Sequence, residues 1–127
     1  MISQSGGVNL IEQQKLILEK ILCKLNEQRF AQGRKKKFDL VKITDTNISL
    51  LRRNAKVVKV KISEIEAMIL VFLKEPNKYD YNISLCFKEE VDKVTKHYID
   101  SPIWALLHLV EKHEYFHHTL IRQLRRV

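Results

Sequence analysis

An α+β fold in a single two-layer domain is what the order of hydrophobic periods in this 127-residue sequence predicts. The spacing of apolar residues is helical up to about residue 31. It changes to alternation between residues 38 and 62, and it becomes helical again from residue 88 onward. The predicted architecture is one N-terminal helix, an antiparallel meander of four to five short strands, and two C-terminal helices. Short connections make neighbouring strands antiparallel, and helices bracketing such a sheet cover one of its faces. The single domain spans residues 1–127, and its opening MISQSGG, residues 1–7, reads as a disordered leader.

Residues 8–31 read as a helix. At about 100° per residue, Leu10, Ile11, Ile17, Leu18, Ile21, Leu22 and Leu25 share one broad face. Glu12, Lys15, Glu19, Lys20, Asn26 and Glu27 lie mostly opposite. Ile11, Leu18 and Leu25 are spaced by heptads, but the companion positions Gln14, Ile21 and Gln28 are mostly polar. Packing against the chain's own sheet is therefore favoured over a coiled-coil dimer. The basic run from Gly33 to Lys37 ends the helix as a loop.

Phe38–Ile43, Ile48–Arg52 and Lys56–Ile62 read as strands, divided by the turn-rich TDTN and RRNA. In the third, Val58, Val60 and Ile62 alternate with Lys59 and Lys61. One face of the sheet should therefore be apolar and the other a lysine stripe. The segment SEIEAMILVFLKEP carries two conflicting signals. Ser63 and Glu66 have the spacing of a capping box, which favours a helix from Glu64. The dense apolar run, followed by PNKYD and YNISLCF, favours a hairpin with strands at 67–74 and 81–87, and this is the preferred reading. Lys88 to His97 reads as a helix. Ser101 as N-cap and Pro102 in the first turn begin the last one, which runs nearly to Val127.

That last helix contains His113-Glu114-Tyr115-Phe116-His117, which matches the H-E-x-x-H pattern of zinc-dependent hydrolases. Such a site needs a third protein ligand, usually supplied downstream. The residues after His117 are HTLIRQLRRV, without Asp, Glu or Cys, and His118 points about 100° away. On a helical wheel His113 and His117 fall within the apolar stripe of Leu106, Leu109, Val110, Phe116, Leu120 and Leu124. The favoured reading is two inward-facing imidazoles, not a catalytic pair, with His113 and His117 as a metal site only the remote alternative. The opposite face carries Trp104, His108, Lys112, Tyr115, Arg122 and Arg126. There Tyr115, Arg122 and Arg126 line up in a basic and aromatic row suited to phosphate contact and base stacking.

Charge points the same way. The sequence holds 23 Lys and Arg against 15 Asp and Glu, a formal net charge of +8. Such an excess favours polyanionic partners. The candidate nucleic-acid-binding residues are Arg34, Lys35, Lys36 and Lys37 in the loop, Arg52 and Arg53 in a turn, Lys56, Lys59 and Lys61 on a strand, and Arg122 and Arg126 near the C-terminus. There is no RNP aromatic pattern, GXXG loop, finger spacing or phosphate-cradling glycine loop. Cys23 and Cys86 are too few for a disulfide framework and read as reduced, buried thiols. No apolar run is long enough to span a bilayer, since the longest is Ala67 to Leu73. These features describe a non-enzymatic, cofactor-free binding module, cytoplasmic or nuclear, that contacts DNA or RNA. The alternative is a protein-interaction or homodimerising subunit that uses its apolar helix faces.

Overall fold

The computed structural model describes residues 10–34, 36–52, 56–80, 85–94 and 100–115. The elements are α1 (Leu10–Gln28), β1 (Phe30–Gln32), β2 (Lys37–Ile43), β3 (Asn47–Leu51), β4 (Val57–Lys61), α2 (Ile62–Lys74), a 3₁₀ turn (Pro76–Asp80), α3 (Leu85–Val94) and α4 (Asp100–Leu107). The strands form one antiparallel sheet in the order β1-β2-β3-β4, a simple meander. The α+β class is as predicted, and the helices pack on one face of the sheet.

Several elements differ from the sequence reading. The first helix stops at Gln28, not residue 31, because Arg29 adopts a left-handed backbone (φ 68°). Its N–H still donates to the Leu25 carbonyl at 2.8 Å, which closes the helix, while the chain reverses. Phe30–Gln32 then form the first strand, paired with Lys37–Asp39, and bury Ala31 completely. Ile17, Ile21 and Leu25 of α1 are buried, but chiefly against α2; α1 meets the sheet mainly at β1. Gln14, also buried, donates from Nε2 to the Glu66 carbonyl of α2 at 2.8 Å.

The preferred hairpin at 67–74 and 81–87 is wrong. Residues 62–74 are α2, and 85–87 belong to α3; residues 81–84 lie outside the described residues. Ile65, Met68, Ile69, Phe72 and Leu73 are all buried and have helical spacing. The flanking apolar residues Ala67, Leu70 and Val71, only partly buried, hid that period in the sequence. The helix begins at Ile62, two residues earlier than the expected Glu64. The Glu64 carboxylate, not Glu66, turns back to accept the Lys61 N–H at 2.9 Å. Lys61 has no acceptor to return, so only the glutamate half of a capping box exists. At the other end Glu75 donates to the Val71 carbonyl at 2.9 Å, and Pro76 blocks a further turn. Lys78 of the 3₁₀ turn reaches Glu90 of α3 at 2.6 Å, fastening the turn to that helix.

The last helix is not continuous. α4 ends at Leu107, the chain turns through 108–111, and helical backbone resumes at 112–115, where the described residues end. No Gly or Pro signals this break. The carbonyls it frees find tertiary donors: Tyr115 Oη donates to Leu107 at 2.7 Å and Tyr79 Oη to Val110 at 3.0 Å. Tyr115, expected on the exposed basic face, is fully buried. The continuation of the helix to Val127 lies outside the described residues.

Candidate nucleic-acid interface

The sheet has a sided pattern. Ala31, Phe38, Ile48, Leu50 and Val60 face the helices and are buried. On the other face Asp39, Lys42, Val57, Lys59 and Lys61 are exposed, Phe30, Asn47 and Leu51 half-buried and Ser49 buried, and register sets out these side chains in rows across the strands. Phe30, Asp39, Leu51 and Val57 are successive partners and make one row. Lys42, Ser49 and Lys59 make the next. Gln32 with Lys37 lies on one side of these, and Asn47 with Lys61 on the other. Successive rows are about 7 Å apart, since each lies two residues further along a strand. The strands themselves carry four lysines, all exposed, against a single carboxylate, Asp39.

Lys42 was missed as a candidate because alternation from Phe38 and Leu40 would turn it inward. A β-bulge intervenes: Leu40 pairs with Leu50 and Lys42 with Ser49, leaving Val41 as the extra residue. The extra residue flips the phase, so Lys42 joins the outer face and Ile43 packs against the core. A lysine within an otherwise alternating apolar strand is the signal that could have indicated the bulge.

The loops add charge at one end. In a meander, the β1–β2 and β3–β4 connections emerge at the same end of the sheet, about 10 Å apart across two intervening strand spacings. The first is the basic tip, where Gly33 N–H donates to the Lys36 carbonyl at 2.7 Å. A Cβ on Gly33 would meet that carbonyl oxygen at 2.8 Å and Phe38 Cε2 at 3.0 Å, so the tight tip requires glycine. Arg34 and Lys36 are exposed there. In the second connection Arg52 N–H donates to Lys56 carbonyl at 2.8 Å; Lys56 is exposed, and Arg52 is half-buried with its Nε lacking a hydrogen-bond partner. Thus Arg34, Lys36, Lys37, Arg52, Lys56, Lys59 and Lys61 share one end or one face. Lys35, Arg53, Arg122 and Arg126 lie outside the described residues.

The HEYFH segment has a different geometry from the one expected. His113 is 63% exposed and does not enter the apolar stripe. Its Nδ1 is 3.2 Å from Glu111 and its Nε2 3.1 Å from Glu114. Lys20 of α1 pairs with Glu114 and holds its carboxyl below the usual range. His117 lies outside the described residues, and no three His, Cys, Asp or Glu side chains gather to hold a metal among the described ones. The break after α4 explains the inversion: it resets the helical phase, so Tyr115 and not His113 faces the core.

Of the two histidines among the described residues, the half-buried His108 is the one that turns inward. It stacks on Trp104 (ring centroids 3.9 Å apart, 15° between planes) and lies 4.0 Å from Tyr79. Nδ1 is 2.8 Å from the Trp104 carbonyl and Nε2 2.9 Å from the Tyr79 carbonyl. Burial pushes its pKa below the ordinary 6.5, while these carbonyls and Asp80 oppose the shift. Burial likewise raises the phenols of Tyr79 and, further, Tyr115. A cleft of about 580 Å³ between α1 and the 108–114 turn is lined by both signs of charge, including Lys20, Lys24, Glu27 and Glu111. Cys23, on its wall, is exposed and free, contrary to the expected buried thiol. No family model matches the chain, and no curated protein or solved structure is significantly similar to it.

Proposed function

We propose that this protein is a small, non-enzymatic binding module that contacts nucleic-acid phosphates through the open sheet face and the two basic hairpin tips. The carrying observation is the segregation of charge on the sheet. Lys42, Lys59 and Lys61 stand on a face that the described helices leave uncovered, and Lys37, Lys36, Arg34 and Lys56 extend it at one end. Lysines on such a face meet phosphates, which are the same at every nucleotide, so the contact is insensitive to sequence and steeply dependent on salt. The alternative role of these lysines is to keep an exposed sheet from aggregating. An electrophoretic shift with mixed-sequence DNA and RNA separates the two. Binding at about 50 mM salt that weakens strongly by about 200 mM supports phosphate contact; absence of binding at the lower concentration removes it.

A second reading is a protein-interaction or homodimerising subunit, favoured by one observation on α1. Ile11 and Leu16 are 52% and 49% exposed, outside the face that packs on α2. Sedimentation equilibrium at micromolar concentration tests its homodimer form, which a clean monomer excludes.

A further inference from the structure

We infer that the open sheet face takes single-stranded nucleic acid, with bases on the row of Phe30, Leu51 and Val57 and phosphates on the neighbouring row of Lys42 and Lys59. This rests on the phosphate-binding reading above and adds the form of the ligand. Lysines alone would serve a duplex equally well. The apolar row is what discriminates. Val57 is 54% exposed, and Phe30 and Leu51 in the same row are half-buried. A duplex presents phosphates and sugars to a sheet face and keeps its bases stacked inside. A single strand has free base faces, which gain by leaving water for an apolar or aromatic platform.

The spacing fits this assignment. Adjacent rows lie about 7 Å apart, so a base on one row leaves its phosphate within reach of a flexible ammonium on the next. Lys42 and Lys59 are two strands apart, about 10 Å, with the small Ser49 between them as the floor of the phosphate track. Asp39 sorts the two rows. It stands between Phe30 and Leu51 with its side chain 57% exposed, and its charge keeps phosphates off the apolar row. The Lys37 ammonium sits 4.5 Å from the Phe30 ring centroid and 3.8 Å from Asp39. Both contacts are exposed and weak, so a phosphate draws the lysine away and uncovers the ring for a base.

Fluorescence anisotropy with a labelled thymidine oligonucleotide of about 12 nucleotides, and with a hairpin duplex of similar charge, tests the inference at about 50 mM salt. The single strand should bind about tenfold more tightly. Phe30→Ala should weaken that binding about tenfold without changing its salt slope, while Lys42→Ala and Lys59→Ala should each lower the slope. Val57→Thr, a β-branched replacement at an exposed strand position, should weaken single-strand binding and leave the duplex untouched; a thermal melt confirms that each variant is folded. Equal or tighter duplex binding overturns the inference while leaving phosphate contact standing, as does folded Phe30→Ala or Val57→Thr binding the single strand like the parent. If neither ligand binds, the underlying reading fails as well.

Discussion

Two side chains in the C-terminal half show how single residues decide the local structure. Tyr115 fills the space against Phe72 and Tyr79, at centroid distances of 5.3 and 5.6 Å, while its hydroxyl caps the Leu107 carbonyl. Tyr115→Phe keeps the ring and strands that buried acceptor. The expected loss is about 1 kcal/mol in urea unfolding, with unchanged far-ultraviolet circular dichroism. His108 carries a pH dependence. A neutral ring can donate to only one of its two carbonyls, so protonation would gain a bond, yet burial outweighs this and holds its pKa below 6.5. The unfolded chain therefore takes up the proton first as pH falls. Stability from this site is complete above about pH 6.5 and declines as pH drops through that value toward the folded pKa. The facing charges are Asp80, paired to Lys112, and Glu111 across the turn. The difference in unfolding free energy between the parent and His108→Leu should shrink on acidification below that point. A constant difference from neutrality to about pH 5 would contradict the assignment.

At the scale of the element, the junction of α1 with the sheet turns on one backbone conformation. Arg29 occupies the left-handed region that glycine tolerates best, a strain of about 1 kcal/mol for a residue with a Cβ. Its side chain recovers part of this by donating from Nη1 to Asn26 Oδ1 at 2.9 Å. Arg29→Gly should stabilise the fold by about 0.5 kcal/mol and raise the melting temperature by about 2 °C. A lower melting temperature would mean that the Asn26 bond outweighs the backbone strain. The same element scale shows where sequence patterns were readable. β3 and β4 were legible because each alternates over a half-buried face, and β2 because it alternates as far as its bulge at Val41. α2 was not, because Ala67 to Leu73 is apolar on every side and so has no period to read. β1 is only three residues long, too short for a pattern, and owes its existence to the reversal at Arg29.

For the whole molecule, the relevant quantity is a field, not a contact. The excess of +8 is spread along the chain, but folding gathers part of it on one face and one end of the sheet. No single lysine should therefore abolish binding. Each phosphate contact contributes about 0.7 to the slope of log K against log salt for a single strand and about 0.9 for a duplex. Lys42→Ala and Lys59→Ala should each reduce the slope by about that amount, and the double variant by about the sum. A surface lysine remote from the face, such as Lys15 on α1, should leave it unchanged when replaced by alanine. The candidate site was half legible. Lys59 and Lys61 could be placed on an outer face from alternation alone, whereas Lys42 depended on a bulge and the apolar row depended on register between strands.

The amino-acid sequence by itself determined the α+β class, the three later strands, the helical faces of α1 and the basic character of one side of the sheet. Each of these is a periodic or compositional property, carried by neighbours within a few residues of one another. Only the tertiary structure decided that 62–74 is a helix, that the last helix breaks after Leu107, that Tyr115 is inside and His113 outside, and which lysines share a face. Those outcomes depend on partners distant in the chain: the Tyr79 hydroxyl on Val110, the Tyr115 ring against Phe72, Gln14 on Glu66, and strand register across the meander. The H-E-x-x-H pattern shows the same division. Its spacing is a local fact, but which of its side chains enters the core was set by carbonyls that found donors elsewhere in the fold.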